Sequence, residues 1–326
     1  MREVFMVLSI PSWAFALLPL AFFVAALFWG APAVALVSEL IGAVTGKPFP
    51  ARCARQISAL AVRGHALGWM CVLIAGGVLW SGSFWQSPWA TGNRLMLILA
   101  MALPLCGTLA LVAYDLGWKG ARERRLFHIL LGCVANVPIK YGYWGLAGLA
   151  LLAFRDLPPG HPAFLPPASS PLWPLFGLWM PLSLCLAGGL GLGYLVLRRN
   201  KDDWGRDYYR YAAPFLGKWQ IAGGLMTLAM LVWLFVSLQG VFNLFLPRIF
   251  YPGLGSAICL VLAMALSLVL CCSENPMRLK GSMAGIIALC YLHCALLVAA
   301  ICETLTRYVP GWSLPTFVPD LLQLVG

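Results

Sequence analysis

Charged residues are scarce in this sequence. Among its 326 residues, Lys and Arg contribute 22, Asp and Glu 11, and His four. Charged residues make up 10% of the chain, apolar residues 61%, and the mean hydropathy is +0.86. A typical soluble domain carries about 25% charged residues, so this chain has too little charge to cover a water-facing surface. The composition excludes a soluble enzyme and predicts an all-α integral membrane protein whose apolar side chains face lipid.

Metal-binding and disulfide motifs are also missing. The chain has 11 cysteines, but no CxxC pair and no Cys/His cluster with the spacing of metal ligands. Almost all of the cysteines lie inside apolar stretches. We therefore expect them to pack as small apolar residues rather than to form a secreted disulfide framework.

Eight apolar runs are long enough to cross a bilayer core about 30 Å thick. They lie at about 15–40, 64–84, 94–115, 127–153, 172–197, 218–240, 254–273 and 281–304. The first run is too long for the apolar core of a signal peptide, which has about 7–15 residues. We predict about eight transmembrane helices, with the proline-rich connection at 155–171 separating two four-helix bundles, residues 1–155 and 156–326.

The cations concentrate on one side of these runs. The connections after the first, third, fifth and seventh runs hold 16 of the 22 Lys and Arg residues, and the opposite side holds five. Because short cytoplasmic loops carry the excess of positive charge, we expect both termini on the non-cytoplasmic side of the plasma (inner) membrane. Cations spread over short membrane loops also argue against binding of nucleic acid.

A polar segment interrupts the middle of the fourth run. An ionisable residue at the centre of a span costs about 2.5–3.5 kcal/mol on insertion scales, and Lys140 lies there. Pro138 frees a backbone carbonyl on the preceding turn, and Asn136, Tyr141 and Tyr143 add polar atoms. We expect a kinked polar site for a water chain, a quinone head group or an anion. A structural contact of Lys140 with a carboxylate or at a subunit interface is the alternative.

Two histidines are candidates for a cofactor. His65 and His128 stand at similar depths near the cytoplasmic ends of the second and fourth runs, as ligation of a haem b between two helices would require. Each also lies beside a basic connection, where a histidine can occupy the head-group region. His293 is alone in the eighth run and is expected to be a hydrogen-bonded core residue. The glycine run 187–193 follows no strand, which favours close helix packing over a phosphate loop.

The order of several motifs resembles the N-terminal portion of subunit I of the cytochrome bd quinol oxidases, over about residues 14–240. The motifs are Glu39 followed by Thr45-Gly46-Lys47, Tyr114-Asp115-Leu116-Gly117-Trp118 before His128, and Tyr211-Ala212-Ala213-Pro214-Phe215 after Arg198 and Arg199. The resemblance implies a membrane subunit that works with quinones. Members of that family carry haem-ligating histidines in the first and fifth helices, and neither run has one here.

Other departures bear on activity. The third run lacks the acidic residues of the family, the outer loop that binds quinol is reduced to about 241–253, and the Gly-Arg-Gln-Pro-Trp motif is absent. The resemblance therefore does not imply oxygen reduction. It implies a scaffold that binds quinone or docks an electron-carrying partner.

Two functions remain open from the sequence. The first is a membrane subunit of a respiratory or related redox complex, which faces quinone or anchors an electron-transfer partner and works with other subunits. The second is a small-solute transporter or channel, in which Asn136, Lys140 and the neighbouring tyrosines line the path. The scarcity of paired charges inside the spans weakens the case for this second function. An enzyme acting on lipid and a structural anchor are further alternatives.

Overall fold

The computed structural model of the protein describes residues 12–81, 88–121, 123–154, 172–202 and 204–308. These residues form nine α-helices and two short 3-10 turns, and no strand occurs among them. The helices are α1 (Ser12–Thr45), α2 (Pro48–Ser81), α3 (Pro88–Gly92), α4 (Arg94–Leu116), α5 (Arg125–Phe154), α6 (Leu172–Arg198), α7 (Arg206–Gln239), α8 (Pro247–Cys272) and α9 (Lys280–Tyr308).

Six helices within the described ranges are long and apolar enough to cross a membrane: α1, α4, α6, α7, α8 and α9. This confirms the prediction of an all-helical chain suited to several membrane crossings. In hydrocarbon, each backbone N–H and C=O needs a partner within its own segment, and a helix supplies it. The other two long helices, α2 and α5, overlap the second and fourth apolar runs of the sequence.

Two helices begin well before the predicted runs. α2 starts at Pro48 rather than near 64, and α7 starts at Arg206 rather than near 218. In both extensions, apolar side chains recur at helical spacing and are buried, while cations such as Arg52 and Arg210 are exposed. The buried positions are Cys53, Ile57 and Ala61 in α2, and Tyr208, Ala212 and Leu216 in α7. The predicted starts of these two helices are therefore too late, because the extensions are amphipathic rather than uniformly apolar.

α1 lies at the centre of the packing. It contacts α2, α5, α6 and α9, and α6 in turn packs closely along α7. A Cβ atom on Gly188 of α6 would lie 2.6 Å from the backbone nitrogen of Gln220, and one on Gly223 of α7 would lie 2.5 Å from that of Cys185. Only glycine permits this approach of two backbones, which confirms that the glycine run serves helix packing. All 11 cysteines are free thiols, as the sequence predicts.

A polar network joins α2, α6 and α7 on the side that the charges predict to be cytoplasmic. Arg198 donates two hydrogen bonds to Asp202, at 2.7 and 2.6 Å. Asp202 also accepts a hydrogen bond from Gln56 at 3.2 Å, and Tyr208 donates to Gln56 at 2.6 Å. The Arg198 guanidinium holds the pKa of the Asp202 carboxyl below its usual range. The network ties the start of α7 to the first turns of α2.

Candidate functional site

An open-sided cavity, here called the apolar cleft, lies between α1, α2, α5, α6 and α9. Its volume is about 740 Å³, within the range of about 300–1,000 Å³ that is usual for small-molecule sites. The lining residues are aliphatic or aromatic, apart from one Gly and one Cys, and none of them is charged. The aromatic members are Phe22, Phe28, Trp29, Trp144 and Trp179. The cleft therefore suits an apolar ligand.

The cleft opens sideways, away from the centre of the bundle. Three leucines at its rim, Leu17, Leu20 and Leu175, are 57%, 48% and 40% exposed. They lie near the starts of α1 and α6, at the helix ends that the charge distribution predicts to be non-cytoplasmic. α1 and α6 both qualify as membrane spans by length and composition, and exposed leucines at this opening are compatible with contact to lipid.

Two indole N–H groups that have no acceptor in the described part of the chain lie in the otherwise apolar wall. Trp29 is 5% exposed and stacks against Trp144, with ring centroids 6.4 Å apart. Trp179 packs against Phe22 at 5.3 Å. Within the described residues, the indole N–H of Trp29 and that of Trp179 have no acceptor. An indole N–H in an apolar setting usually finds a partner, so the cleft can offer these two donors to a carbonyl oxygen.

The floor of the cleft depends on Gly68 of α2. A Cβ atom at this position would lie 1.7 Å from Cε2 of Phe28, so a larger residue would collide with the ring. Phe28 is 4% exposed and also packs on His65, with ring centroids 4.0 Å apart. Gly68 thus sets how closely α2 approaches α1 beneath the cleft.

Replacing Gly68 by Ala tests this close approach. We expect a loss of about 1–3 kcal/mol in the free energy of unfolding, because the Phe28 ring must move or the helices must separate. The measurement is denaturant-induced unfolding in detergent micelles. Gly253→Ala in α8 is the control, because a Cβ atom there would meet nothing within 4 Å. Equal stability of the two variants would contradict the close contact.

His65 lies directly behind Phe28 in a buried polar cluster. Pro32 cannot donate a hydrogen bond to the carbonyl of Phe28, four residues earlier in α1, and His65 Nε2 lies 3.3 Å from that oxygen. His65 Nδ1 lies 2.8 Å from the Thr108 hydroxyl, which also accepts a hydrogen bond from the Trp69 indole at 2.9 Å. His65 therefore compensates a helix defect caused by proline.

The four predicted quinone or polar-path residues separate on α5. Asn136 faces α1, where its amide nitrogen lies 3.3 Å from the Pro32 carbonyl oxygen, and its Oδ1 has no partner among the described residues. Lys140 is partly buried one turn further along, between Asn136 and Trp144 of the cleft. Tyr141 is 70% exposed and points outward. The side chain of Tyr143 lies outside the described residues.

A second buried cluster joins α1, α4 and α5 at the predicted cytoplasmic side. Glu39, Tyr114 and His128 are 2%, 1% and 3% exposed. Glu39 Oε1 lies 2.7 Å from His128 Nδ1, and Glu39 Oε2 accepts a hydrogen bond from the Tyr114 hydroxyl at 2.7 Å. The His128 ring contacts the rings of Tyr114 and Trp118, with centroids 4.4 and 4.5 Å away. We call these four residues the Glu39 cluster.

The geometry fixes the number of protons in the Glu39 cluster. His128 Nε2 lies 2.9 Å from the backbone carbonyl oxygen of Tyr114, which can only accept, so Nε2 carries a hydrogen. The contact between Nδ1 and Glu39 Oε1 needs one more hydrogen, because two facing lone pairs would repel each other. Glu39 and His128 therefore share one proton, either as an imidazolium and a carboxylate or as a neutral pair.

Asp115 belongs to a neighbouring contact. Its Oδ1 accepts a hydrogen bond from the Ser58 hydroxyl at 2.5 Å, and the Trp118 indole donates to the same Ser58 oxygen at 3.0 Å. The resemblance in sequence rests in part on the isolated Glu39, the motif at 114–118 and His128. These three features thus meet in space. A buried acid and a buried base each need a partner, and this requirement is the signal in the sequence that pairs Glu39 with His128.

The two histidines do not fit a haem held between them. Each ring nitrogen of His65 and of His128 lies in a hydrogen bond. Their partners Thr108 and Tyr114 are six residues apart on α4, which separates the two clusters by about 9 Å along the helix. Iron ligation would break at least one buried hydrogen bond at each histidine.

His293 is fully buried between α8 and α9. Its Nδ1 lies 2.9 Å from the Ser256 hydroxyl, which confirms a hydrogen-bonded core residue, and its Nε2 has no partner in the described part of the chain.

Comparisons with known proteins add no relative to this geometry. No protein-family model, no curated protein and no solved structure matches the chain.

Proposed function

We propose that the protein is a membrane subunit of a respiratory or related redox complex, and that it holds a lipid-soluble quinone in the apolar cleft. The observation that carries this proposal is an apolar cavity of about 740 Å³ with aromatic walls and two indole donors, Trp29 and Trp179. A quinone combines an apolar tail, a flat ring that can stack on aromatic side chains, and carbonyl oxygens that accept hydrogen bonds.

The proposed topology has eight crossings in the plasma membrane, with both termini outside. α2 and α5 complete the six helices that qualify as spans, and the basic connections then fall on one side. α1 to α5 and α6 to α9 would form the two four-helix groups, with the short α3 as a connector. α1 contacts α6 and α9, so the two groups share the walls of the cleft.

The electron carrier belongs to a partner subunit in this proposal. Across the ranges that the structure describes, no group of three or more His, Cys, Asp or Glu residues could hold a metal ion. A quinone exchanges electrons only with a redox centre, so we place that centre in another chain. Lys140, one turn from Trp144 towards the predicted cytoplasmic side, stays a candidate for a polar contact with the quinone head group.

A photoreactive quinone with a short tail tests the proposal. The purified chain in phosphatidylcholine nanodiscs is illuminated with the probe, and the labelled peptides are identified by mass spectrometry. We expect labels on α1 and α6, reduced at least fivefold by excess unlabelled quinone.

Two variants sharpen this experiment. Trp179→Leu removes an indole from the cleft, whereas Trp233→Leu removes one that is 46% exposed on α7. Labelling should fall in the first and stay unchanged in the second. Labels on α7 as strong as those on α1, or labels that unlabelled quinone does not reduce, would contradict a quinone site in the cleft.

Transport of a small solute is the alternative function. A path for an anion would need polar side chains in succession across the bundle. The described polar groups instead form separate clusters around His65, Glu39 and His293. This arrangement favours the quinone proposal over transport.

A further inference from the structure

A second cavity, here called the arginine pocket, lies far from the cleft. It has a volume of about 290 Å³ and is bounded by the connection from α6 to α7 and by the turn between α8 and α9. Four arginines line it, Arg199, Arg206, Arg210 and Arg278, and one carboxylate, Glu274. Helix ends on this side carry most of the cations, so the charge distribution predicts that the pocket faces the cytoplasm.

Most of the positive charge in the pocket is unpaired. Among the described residues, the guanidinium of Arg206 donates a hydrogen bond to Asn275, while the guanidinium groups of Arg199, Arg210 and Arg278 have no hydrogen-bond or ion-pair partner. The asymmetry of basic loops requires cations on this side, but it does not require four of them around one cavity. Like charges brought together repel one another unless water or an anion lies between them.

The pocket also has the shape and chemistry of an anion site. Its volume has room for about ten water molecules, which is enough for a phosphate group with part of a larger head group. Guanidinium groups bind phosphate with paired, parallel hydrogen bonds. Gly205 and Arg206 at the start of α7 also line the pocket, and this helix start has no side-chain cap. Free N–H groups at a helix start favour an anion further.

We propose that the arginine pocket binds a phosphate group at the membrane surface. The phosphate belongs either to the head group of an anionic phospholipid or to a small phosphorylated solute. Basic pockets between membrane helices on the cytoplasmic side are suited to lipid head groups. The pocket shares no residue with the apolar cleft, so this inference stands or falls independently of the quinone proposal.

The test measures binding to the full chain in nanodiscs at constant ionic strength. In one arm, inorganic phosphate is added to protein in pure phosphatidylcholine. In the other, one fifth of the lipid is phosphatidylglycerol, and native mass spectrometry counts the lipids that stay bound. Arg206→Gln combined with Arg278→Gln removes two pocket charges. Arg124→Gln combined with Arg125→Gln is the control, because it removes two charges from another basic connection of the same side.

We expect the pocket variant to bind phosphate or phosphatidylglycerol at least threefold more weakly than the wild type, and the control variant to bind as the wild type does. Binding of phosphatidylglycerol alone would assign the site to a lipid head group, and binding of inorganic phosphate would assign it to a solute. Equal weakening in both variants, or no binding in either arm, would overturn the proposal. Thermal unfolding of both variants without ligand shows whether they are folded.

Discussion

Replacing Ala25 by Phe should weaken quinone binding at least tenfold. Ala25 lines the apolar cleft from α1, and the larger side chain would occupy space in which the ring of the ligand has to lie. Because the new ring fills a cavity rather than a packed core, the fold should tolerate it. The measurement is equilibrium binding of a labelled quinone to the protein in nanodiscs, with thermal unfolding recorded in parallel.

Ala222→Phe provides the matched control for this variant. Ala222 is exposed on α7 and does not line the cleft, so the same change of side chain meets lipid instead of the ligand. Its quinone affinity should equal that of the wild type. If Ala25→Phe bound quinone as tightly as Ala222→Phe, the ligand would have to lie elsewhere, and the cleft would lose its proposed role.

Replacing Glu39 by Ala should lower the free energy of unfolding by about 3–5 kcal/mol, the usual cost of removing one partner from a buried ion pair. The change leaves the Tyr114 hydroxyl and His128 Nδ1 without their present partner. Both groups are almost fully buried, so water cannot replace the lost carboxyl without rearrangement. The free energy of unfolding is measured by denaturant-induced unfolding in micelles.

Two further variants show whether the loss of stability comes from the hydrogen bonds of Glu39. Glu39→Gln keeps an oxygen for Tyr114 and offers an amide N–H to a neutral His128, so it should be more stable than Glu39→Ala by at least about 1 kcal/mol. Glu123→Ala removes an exposed carboxylate from the connection before α5 and should change stability by less than about 0.5 kcal/mol. A stability of Glu39→Ala near that of Glu123→Ala would contradict the hydrogen bonds of the Glu39 cluster.

The sequence predicts the membrane character of the chain because lipid imposes simple rules. An apolar run of about 20 residues becomes a helix, whatever its neighbours, and α4, α6 and α9 lie close to their predicted positions. The role of Gly188 in helix packing follows from the same reasoning. Predictions fail where charge and apolar residues alternate, as in the first turns of α2 and α7, since those extensions are amphipathic.

The candidate site is harder to read from sequence. The cleft exists because small residues such as Ala21 and Ala25 of α1 face large aromatic ones on other helices, and no local pattern reveals which residues will face each other. His65 and His128 drew attention as ionisable groups, but their partners come from distant segments, Thr108 and Glu39. The sequence shows that placing an ionisable residue in the membrane costs free energy, but it does not show which contact offsets that free energy.

The link between α1 and α2 limits how the cleft can move. Only two residues join these helices, Gly46 and Lys47, and Gly46 has a φ of +67° with its N–H bonded to the carbonyl of Gly42. A turn this short leaves no slack for one helix to slide along the other, so α1 and α2 must travel together. Widening of the entrance to admit a bulky ligand therefore requires α1 and α2 to move as one unit relative to the other helices.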